Sequence, residues 1–191
     1  MATPTIFVIA GPNGAGKSTC SPLYIPPGMA YLNADEVAKT LPNYPSSAAD
    51  LEAGRIVLDQ MADLESRGEG FAFETTLATR ALASRVARLR VSGYLFHLVY
   101  VWSPNVDFSI RRVAARVRAG GHHIPEDTIR RRYAAGLANF FSLYRPLADH
   151  WEMVDNSNRG LPRLIAAGSL GDTMIVEDSE LWDQIRSGHE S

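Results

Sequence analysis

One segment constrains the fold of this chain more than any other: the stretch from Gly11 to Ser18, with the sequence GPNGAGKS. It directly follows a continuous apolar run at residues 6–10, which is typical of a buried parallel strand. Glycines at positions 11 and 16, followed by Lys17 and Ser18, allow the backbone to curl so that successive N–H groups point inward at a polyphosphate. The pattern predicts a phosphate-binding loop that joins a strand to a helix.

The polar groups of this loop have predicted roles of their own. Lys17 supplies a mobile positive charge for the outer phosphates, and the Ser18 hydroxyl is the predicted ligand of Mg²⁺. A helix that begins at about Gly16 adds its unpaired N–H groups and its positive dipole end to the same anion site. We therefore expect ATP or GTP, together with Mg²⁺, as cofactors. The residues predicted to bind the nucleotide are Gly11, Pro12, Asn13, Gly14, Ala15, Gly16, Lys17, Ser18 and Thr19.

The composition is that of an ordinary globular protein. With 191 residues, of which 46% are hydrophobic and 21% charged, the chain is predicted to form a single domain over residues 1–191. Its net charge of −2 provides no overall positive field for nucleic acid or for an acidic membrane surface. The sequence contains neither a signal-peptide pattern nor an apolar run of about 18 residues. We therefore expect a cytoplasmic protein that binds neither a membrane nor nucleic acid.

Strand and helix patterns alternate along the chain, which predicts an α/β fold with a central, mainly parallel sheet between two layers of helices. Combined with the loop, this is the three-layer sandwich of a kinase-type P-loop NTPase. The predicted strands are residues 5–10, 29–32, 71–73, 94–102 and 151–154, followed by a hairpin at about 162–177. The predicted helices are residues 16–23, a short helix opened by Asn33, and residues 47–67, 79–91, 104–119 and 125–145.

Two of these helices carry more specific predictions. Asn33 is the predicted N-cap of the short helix, with Glu36 three residues later forming a capping box. In the helix at 47–67, Leu51, Leu58 and Met61 are predicted to face inward, because they recur at the helical period.

Polar side chains follow the predicted strands at the point where each strand ends. Ligands collect beyond the carboxyl ends of the strands in an open parallel sheet. Asn33 and Asp35 follow the second strand, and the third strand ends in Glu74, Thr75 and Thr76. Two further polar residues, at positions 155 and 156, follow the fifth strand. The sequence therefore predicts a second substrate next to the phosphate loop, bound by Asn33, Glu74, Thr75 and Thr76.

Asp35 and Glu74 have competing interpretations. Phosphoryl transfer needs a carboxylate that orients or deprotonates the acceptor hydroxyl, and Asp35 is the predicted catalytic residue. An acid in the first turn of a helix is also stabilised by the helix dipole without any catalysis. For Glu74, contact with the acceptor and a place in the Mg²⁺ shell are both open, as is anchoring of the local turn.

Arginines cluster on both sides of the pair Gly120-Gly121, which predicts a lid over residues 104–145 that closes about these glycines. At 100° per residue, Arg112 and Arg116 share one flank of the apolar stripe of their helix, whereas Arg111 and Arg118 share the other. Only one flank can face the nucleotide. We predict that Arg112 and Arg116 act with Lys17 as catalytic residues that stabilise the transferring phosphate.

Five segments in this order resemble the zeta toxin family of P-loop kinases. They are GPNGAGKST from Gly11, LNADEVAK from Leu32, FETTL from Phe73, GGHHIPEDTIRRRY from Gly120 and DNS from Asp155. The resemblance implies ATP-dependent phosphorylation of a hydroxyl on a UDP-activated amino sugar, such as UDP-N-acetylglucosamine.

The same resemblance implies roles for individual residues. Asp35 takes the position of the base, Glu74 and Thr76 contact the acceptor, and Lys17 and the lid arginines clamp the phosphates. It also implies a small antitoxin protein as a partner, since many members are toxins that an antitoxin neutralises.

Two other functions remain open from the residues alone. A nucleotide-dependent switch or binding protein needs the loop but not Asp35, and the guanine signature Asn-Lys-x-Asp is missing because neither Lys17 nor Lys39 follows an asparagine. A polynucleotide kinase needs a basic groove with stacking aromatic side chains, and the acidic net charge argues against one.

Overall fold

The structure, a computed structural model, describes residues 3–121, 123–158 and 160–189. Within these residues it contains a seven-stranded sheet with the order β2-β3-β1-β4-β5-β6-β7. The strands are β1 (Thr5–Ala10), β2 (Ala30–Leu32), β3 (Phe71–Thr75), β4 (Leu95–Trp102), β5 (His150–Asp155), β6 (Arg163–Ser169) and β7 (Asp172–Val176). The first five run parallel to one another, and the last two pair antiparallel. The predicted α/β fold of a kinase-type P-loop NTPase, with a mainly parallel sheet, is therefore confirmed.

Helices connect the parallel strands. They are α1 (Lys17–Tyr24), α2 (Ala34–Lys39), α3 (Ser47–Ser66), α4 (Ala81–Val91), α5 (Val106–Arg118), α6 (Glu126–Asn139) and α7 (Ser179–Ser187). After α6 the chain continues through a π-helical turn (Phe140–Tyr144) and a 3₁₀ turn (Arg145–Leu147). None of the helices within the described ranges is both long and apolar enough to cross a membrane.

The central strand β1 is buried on both faces because its side chains alternate between two apolar clusters. Ile6 and Val8 belong to the larger cluster, which also contains Phe71 and Phe96 of the neighbouring strands. Ile9 points to the opposite face and packs in a smaller cluster beneath α1. Residues alternate in this way along any strand, so a continuous apolar run is needed where helices cover both faces of the sheet.

The C-terminal helix α7 closes one edge of the larger cluster. Its side chain Trp182 stacks on Trp151 of β5, with ring centroids 5.5 Å apart and ring planes 21° apart. Phe141 of the π-helical turn packs against Trp182 at 5.7 Å. The guanidinium of Arg145 lies over both the Trp151 and Trp182 rings, at 5.5 and 6.0 Å. Residues that lie beyond the parallel part of the sheet therefore complete its core.

The inward face predicted for α3 is correct for Met61, which is 4% exposed, and wrong for Leu51 and Leu58, which are 68% and 53% exposed. The buried side chains of α3 are Ala49, Ala53, Val57, Met61 and Leu64. The buried stripe therefore begins with two alanines and leaves the two leucines outside.

Two other helices also differ from the predictions. The single helix predicted for residues 125–145 ends at Asn139, where the π-helical turn begins. This turn brings the Tyr144 hydroxyl to the Thr79 carbonyl oxygen, to which it donates a hydrogen bond of 2.6 Å. The helix α7 was not predicted, although the Asp178 side chain caps it by accepting from the Leu181 N–H.

Candidate active site

The loop that is predicted to bind phosphate lies between β1 and α1. The N–H of Gly11 donates to the Thr75 carbonyl oxygen at 3.2 Å, which anchors the start of the loop to β3. The N–H of Ala15 donates to the Pro12 carbonyl oxygen at 3.2 Å. The helix α1 begins at Lys17, directly after the loop, so its first N–H groups face the space that the loop encloses.

The absence of a side chain at Gly16 is a geometric requirement. Its φ of +90° lies in the left-handed region that favours glycine. A Cβ there would lie 2.4 Å from Nδ2 of Asn156 and 3.4 Å from Nη2 of Arg112. Any larger residue would therefore push the Asn156 side chain away from the loop, whereas Arg112 would be in ordinary van der Waals contact.

Lys17 lies folded over the loop. Its ammonium group donates to the carbonyl oxygens of Gly11 at 3.0 Å and Pro12 at 3.1 Å. Burial lowers the pKa of Lys17 from its ordinary value, while the negative charges of Glu74 and Asp35 act in the opposite direction. The ammonium group is thus held at the loop, where an additional anion would favour its charged form further.

The carboxylate of Glu74, at the end of β3, accepts hydrogen bonds from three hydroxyl groups. Ser18 donates to Oε2 at 3.1 Å, Ser21 donates to Oε1 at 3.0 Å, and the Tyr31 hydroxyl also donates to Oε1. Glu74 is therefore a fixed neighbour of the loop serine. One serine hydroxyl beside one carboxylate fits Mg²⁺, which proteins commonly hold through one or two carboxylates together with substrate phosphates.

Tyr31 is part of this site, although it was not predicted. It belongs to the three-residue strand β2, and its hydroxyl also accepts a hydrogen bond of 3.2 Å from Nδ2 of Asn33. Burial and the hydrogen bond to Glu74 raise the pKa of Tyr31 to about 12. The phenol therefore stays protonated at neutral pH and serves as a donor to the carboxylate.

Asn33 is the N-cap of α2, as predicted. Its Oδ1 accepts from the N–H groups of Asp35 at 2.9 Å and Glu36 at 3.4 Å. Glu36 itself pairs with Lys39. Because the cap fixes the first turn of α2, it also determines where the Asp35 side chain projects.

Asp35 lies between the loop and the lid helix α5. Its side chain is 60% exposed, and its Oδ2 lies 3.5 Å from Nη1 of Arg116. An exposed pair of this kind contributes little to stability. The carboxylate can therefore change partner at little cost when another group enters the site.

A cavity of about 690 Å³ joins these groups into one site. This volume is in the range of about 300–1,000 Å³ that is common for small-molecule sites. Of the predicted site residues, the cavity is lined by Asn13, Gly14, Gly16, Lys17, Ser18, Thr19, Asn33, Asp35, Glu74, Thr75, Thr76, Arg112 and Arg116. Gly11, Pro12 and Ala15 are instead buried in the loop and do not line it. Thr75 contacts its own turn as well, since its Oγ1 accepts from the Leu77 N–H at 3.1 Å.

The helix α5 presents one basic flank to this cavity. Arg112 and Arg116 line it, whereas Arg111 and Arg118, which are exposed, do not. The flank on which Arg112 and Arg116 were predicted thus faces the loop.

Three further polar residues line the cavity without having been predicted as site residues: Asp50 of α3, and Thr128 and Arg132 of α6. Arg132 belongs to the run of three arginines at 130–132, so its charge was visible in the sequence. Its direction depends on how α6 packs.

A second cavity of about 450 Å³ adjoins the first. Ser18, Asp35, Asp50 and Arg116 line both, and the second extends to Tyr44 and to the turn at Gly120 and Gly121. Asp35 therefore stands at the boundary between two spaces, one over the phosphate loop and one under the glycine turn of the lid.

Asp155, which follows β5, does not line either cavity. Its Oδ1 accepts from the Ser157 N–H at 2.8 Å, and Arg163 lies 3.8 Å from its Oδ2. This acid stabilises the turn after β5.

A protein of Haemophilus influenzae, itself uncharacterised, is 30% identical over 133 residues, which cover 70% of this chain and 94% of the relative. A chain of the AvrRxo1-ORF1:AvrRxo1-ORF2 complex, crystallised with ATP, superimposes with a TM-score of 0.76 at 19% identity over 100% of this chain. The present chain spans only 65% of the length of that chain.

A structure from the PezAT chromosomal toxin–antitoxin system of Streptococcus pneumoniae is similar as well. It superimposes with a TM-score of 0.67 at 17% identity, covering 100% of this chain and 81% of the other. At these identities, the two structural similarities establish a shared fold. The Zeta toxin family pattern matches residues 1–159, which include the loop, Asp35, Glu74 and the lid. The chain therefore belongs to the zeta toxin family of P-loop kinases.

Proposed function

We propose that this protein is an ATP-dependent kinase that transfers the γ-phosphate to a hydroxyl of a small molecule. The acceptor class is a UDP-activated amino sugar such as UDP-N-acetylglucosamine, and the protein acts as the toxin of a toxin–antitoxin pair. Family membership supports the kinase reaction. The observation that carries the proposal is the position of Asp35, which lines both the cavity over the phosphate loop and the adjoining cavity.

The nucleotide occupies the cavity over the loop, with its phosphates against the N–H groups at the start of α1. The ammonium of Lys17 exchanges its two carbonyl partners for the outer phosphates. Arg112 and Arg116 face the same space from α5 and stabilise the charge on the transferring group. Residues 104–145 form a lid that closes over the nucleotide about the turn at Gly120 and Gly121.

The acceptor occupies the adjoining cavity, with its reactive hydroxyl next to Asp35. The carboxylate orients this hydroxyl toward the γ-phosphate and accepts its proton as the new P–O bond forms and the bond to the β-phosphate oxygen breaks. Before the acceptor binds, the Asp35 carboxylate is paired with Arg116. Acceptor binding therefore releases this arginine toward the phosphates.

The residues that would hold Mg²⁺ are Ser18 and Glu74, whose side chains are hydrogen-bonded at 3.1 Å. When bound, the cation neutralises negative charge on the phosphates. Asn33, Thr75 and Thr76 line the cavity over the loop, where they contact the part of the acceptor that extends past Asp35 toward the nucleotide.

The direct experiment incubates the protein and the D35N variant with labelled ATP and UDP-N-acetylglucosamine, followed by mass analysis of the product. We expect a phosphorylated UDP-sugar with the wild type and at least about 10²-fold less with D35N. A parallel incubation with a metabolite extract identifies a different acceptor. If the wild type phosphorylates no small molecule in either mixture, the proposal is wrong.

The toxin role requires a separate experiment in cells. Induced expression of the wild type should arrest growth, whereas the K17A variant should not, because the loop then lacks its phosphate-binding ammonium. A small protein encoded beside this chain should restore growth when it is co-expressed. Equal growth of cells that express the wild type and K17A at the same level would contradict a toxic kinase activity.

A further inference from the structure

Asn156 is a buried polar residue next to the phosphate loop, and neither the nucleotide nor the acceptor assignment above uses it. It is the first residue after β5 and is 7% exposed. The strand β5 runs parallel to β1, with β4 between them. The chain therefore leaves β5 at the same end of the sheet at which the phosphate loop follows β1. A buried amide needs hydrogen-bonding partners, and Asn156 has one in the phosphate loop and one in α5.

The side chain of Asn156 contacts the loop directly. Its Nδ2 donates a hydrogen bond of 3.2 Å to the carbonyl oxygen of Ala15. In a phosphate-binding loop the N–H groups turn toward the anion, so the carbonyl groups turn away and need donors elsewhere. Asn156 supplies one such donor, which favours the loop conformation whose N–H groups face the phosphates.

The main chain of Asn156 contacts the lid. Its carbonyl oxygen accepts a hydrogen bond of 2.9 Å from Nη1 of Arg112. The guanidinium of Arg112 also lies over the Phe108 ring at 5.5 Å, which fixes its plane. Because Gly16 lacks a side chain, Asn156 can lie against the loop at this point, with Arg112 beside it.

We propose that Asn156 is a positioning residue that aligns the phosphate loop with Arg112 for phosphoryl transfer. It acts through Ala15 and Arg112. The alignment matters because a misplacement of about 1 Å in groups that stabilise a transition state costs about 10²-fold in rate. This inference rests on the proposed kinase function.

Two substitutions separate the side-chain donor from the main-chain acceptor. N156A removes the donor to Ala15 and keeps the carbonyl that binds Arg112. N156D keeps the shape but places a carboxylate oxygen against the Ala15 carbonyl, so that attraction becomes repulsion. The matched control is N105A, which removes the N-cap bond of 2.8 Å from the Phe108 N–H and weakens α5 without touching the loop.

The experiment measures kcat, the KM for the acceptor, the affinity for the fluorescent nucleotide mant-ATP and the unfolding temperature of all four proteins. We expect kcat to fall about 10- to 100-fold in N156A and further in N156D, with the acceptor KM within about threefold of wild type. Nucleotide affinity should fall more in N156D than in N156A. N105A should unfold at a lower temperature than the wild type but keep kcat within about threefold of it.

The inference is overturned if N156A and N156D both keep kcat and mant-ATP affinity within about twofold of wild type. It is also overturned if N105A, at a similar fall in unfolding temperature, loses as much kcat as the two Asn156 variants do. If the wild type binds mant-ATP but transfers no phosphate, the proposed function fails instead. The order of nucleotide affinities in the wild type, N156A and N156D then still decides whether Asn156 holds the loop.

Discussion

The hydroxyl of Ser18 donates a hydrogen bond of 3.1 Å to Oε2 of Glu74, which joins the first turn of α1 to the carboxyl end of β3. The strand β1, which leads to α1, is adjacent to β3, with Ile9 in register with Glu74. Ser21 and Tyr31 hold the other carboxylate oxygen. The carboxylate therefore presents a defined face to the phosphate loop.

Replacing this carboxylate should impair the use of Mg²⁺. We expect E74Q to raise the Mg²⁺ concentration for half-maximal activity by about tenfold or more, because the amide carries no negative charge. Titration of kinase activity with Mg²⁺ measures this. The control is E69Q, whose parent side chain is exposed and pairs with Arg67 at 3.5 Å. An unchanged Mg²⁺ requirement in E74Q would assign Glu74 to acceptor binding or to the local turn.

Lys17 should be essential for nucleotide binding. We expect K17A to lower kcat by about 10²-fold or more and to weaken mant-ATP binding, because the outer phosphates lose their mobile cation. Lys39 is the chain's second lysine and serves as the control for mant-ATP binding, since it does not line the cavity over the loop. Product formation by K17A at the wild-type rate would disprove the role of the loop.

Asp35 should be distinguishable from an acid that merely stabilises a helix. We expect D35N to lower kcat by about 10²-fold or more. The control is D107N, because Asp107 also lies in the first turn of a helix and also pairs with an arginine, Arg130. Both variants lose a favourable interaction with a helix dipole, and only D35N should lose catalysis. If D35N retains activity within about tenfold of wild type, Asp35 is not the base.

The two flanks of α5 should differ in their effect on turnover. We expect R112A and R116A each to lower kcat by about 10²-fold, because these arginines line the cavity over the loop. R111A and R118A should stay within about threefold of wild type, since their side chains are exposed and line neither cavity. Turnover measurements on the four variants at saturating substrates test the ranking. The opposite ranking would mean that the wrong flank was assigned.

The single cysteine should be unreactive while the protein is folded. Cys20 is fully buried, and burial raises its pKa to about 11 from the ordinary value of 9.0. A thiol-exchange reagent at pH 8 should therefore react slowly with the native protein and rapidly in guanidinium chloride, as absorbance would show. Equal rates in the two solvents would show that α1 opens readily.

The same shift predicts a pH dependence of stability. Because the pKa is higher in the folded than in the unfolded state, Cys20 stabilises the fold below about pH 9. This contribution is lost as the pH rises through about 11. Urea unfolding should show a steeper loss of free energy of unfolding between these pH values in the wild type than in C20S. If the free energy of unfolding depends on pH in the same way in the wild type and in C20S, the raised pKa of Cys20 is contradicted.

The parts of the site that could be predicted from sequence are those with strong local rules. The loop has a fixed spacing between a strand and a helix, and the cap at Asn33 follows from an asparagine directly before Ala34 and Asp35. Residues at strand ends could be expected to share one edge, because that follows from parallel topology. Asp155 is an exception to this rule, because its carboxylate contacts the Ser157 N–H and Arg163 and lines neither cavity.

The parts that could not be predicted depend on packing between distant segments. In α3, two apolar stripes compete, and only packing against the rest of the fold buries the one that begins with Ala49 and Ala53. Tyr31 belongs to a strand of three residues, which is too short for any periodic pattern. Its bond to Glu74 spans 43 positions in the chain. The direction of Arg132 likewise depends on the angle at which α6 crosses the sheet.

The stacking of Trp182 on Trp151 gives the protein an intrinsic optical reporter. Two indole rings 5.5 Å apart and nearly parallel couple their electronic transitions, which produces a near-ultraviolet circular dichroism signal. The chain has one other tryptophan, Trp102, which lies outside this pair, so the coupled signal comes from the junction between β5 and α7. Because β5 also leads to Asn156, a change in this strand on nucleotide binding can be followed in the unlabelled protein by its near-ultraviolet circular dichroism.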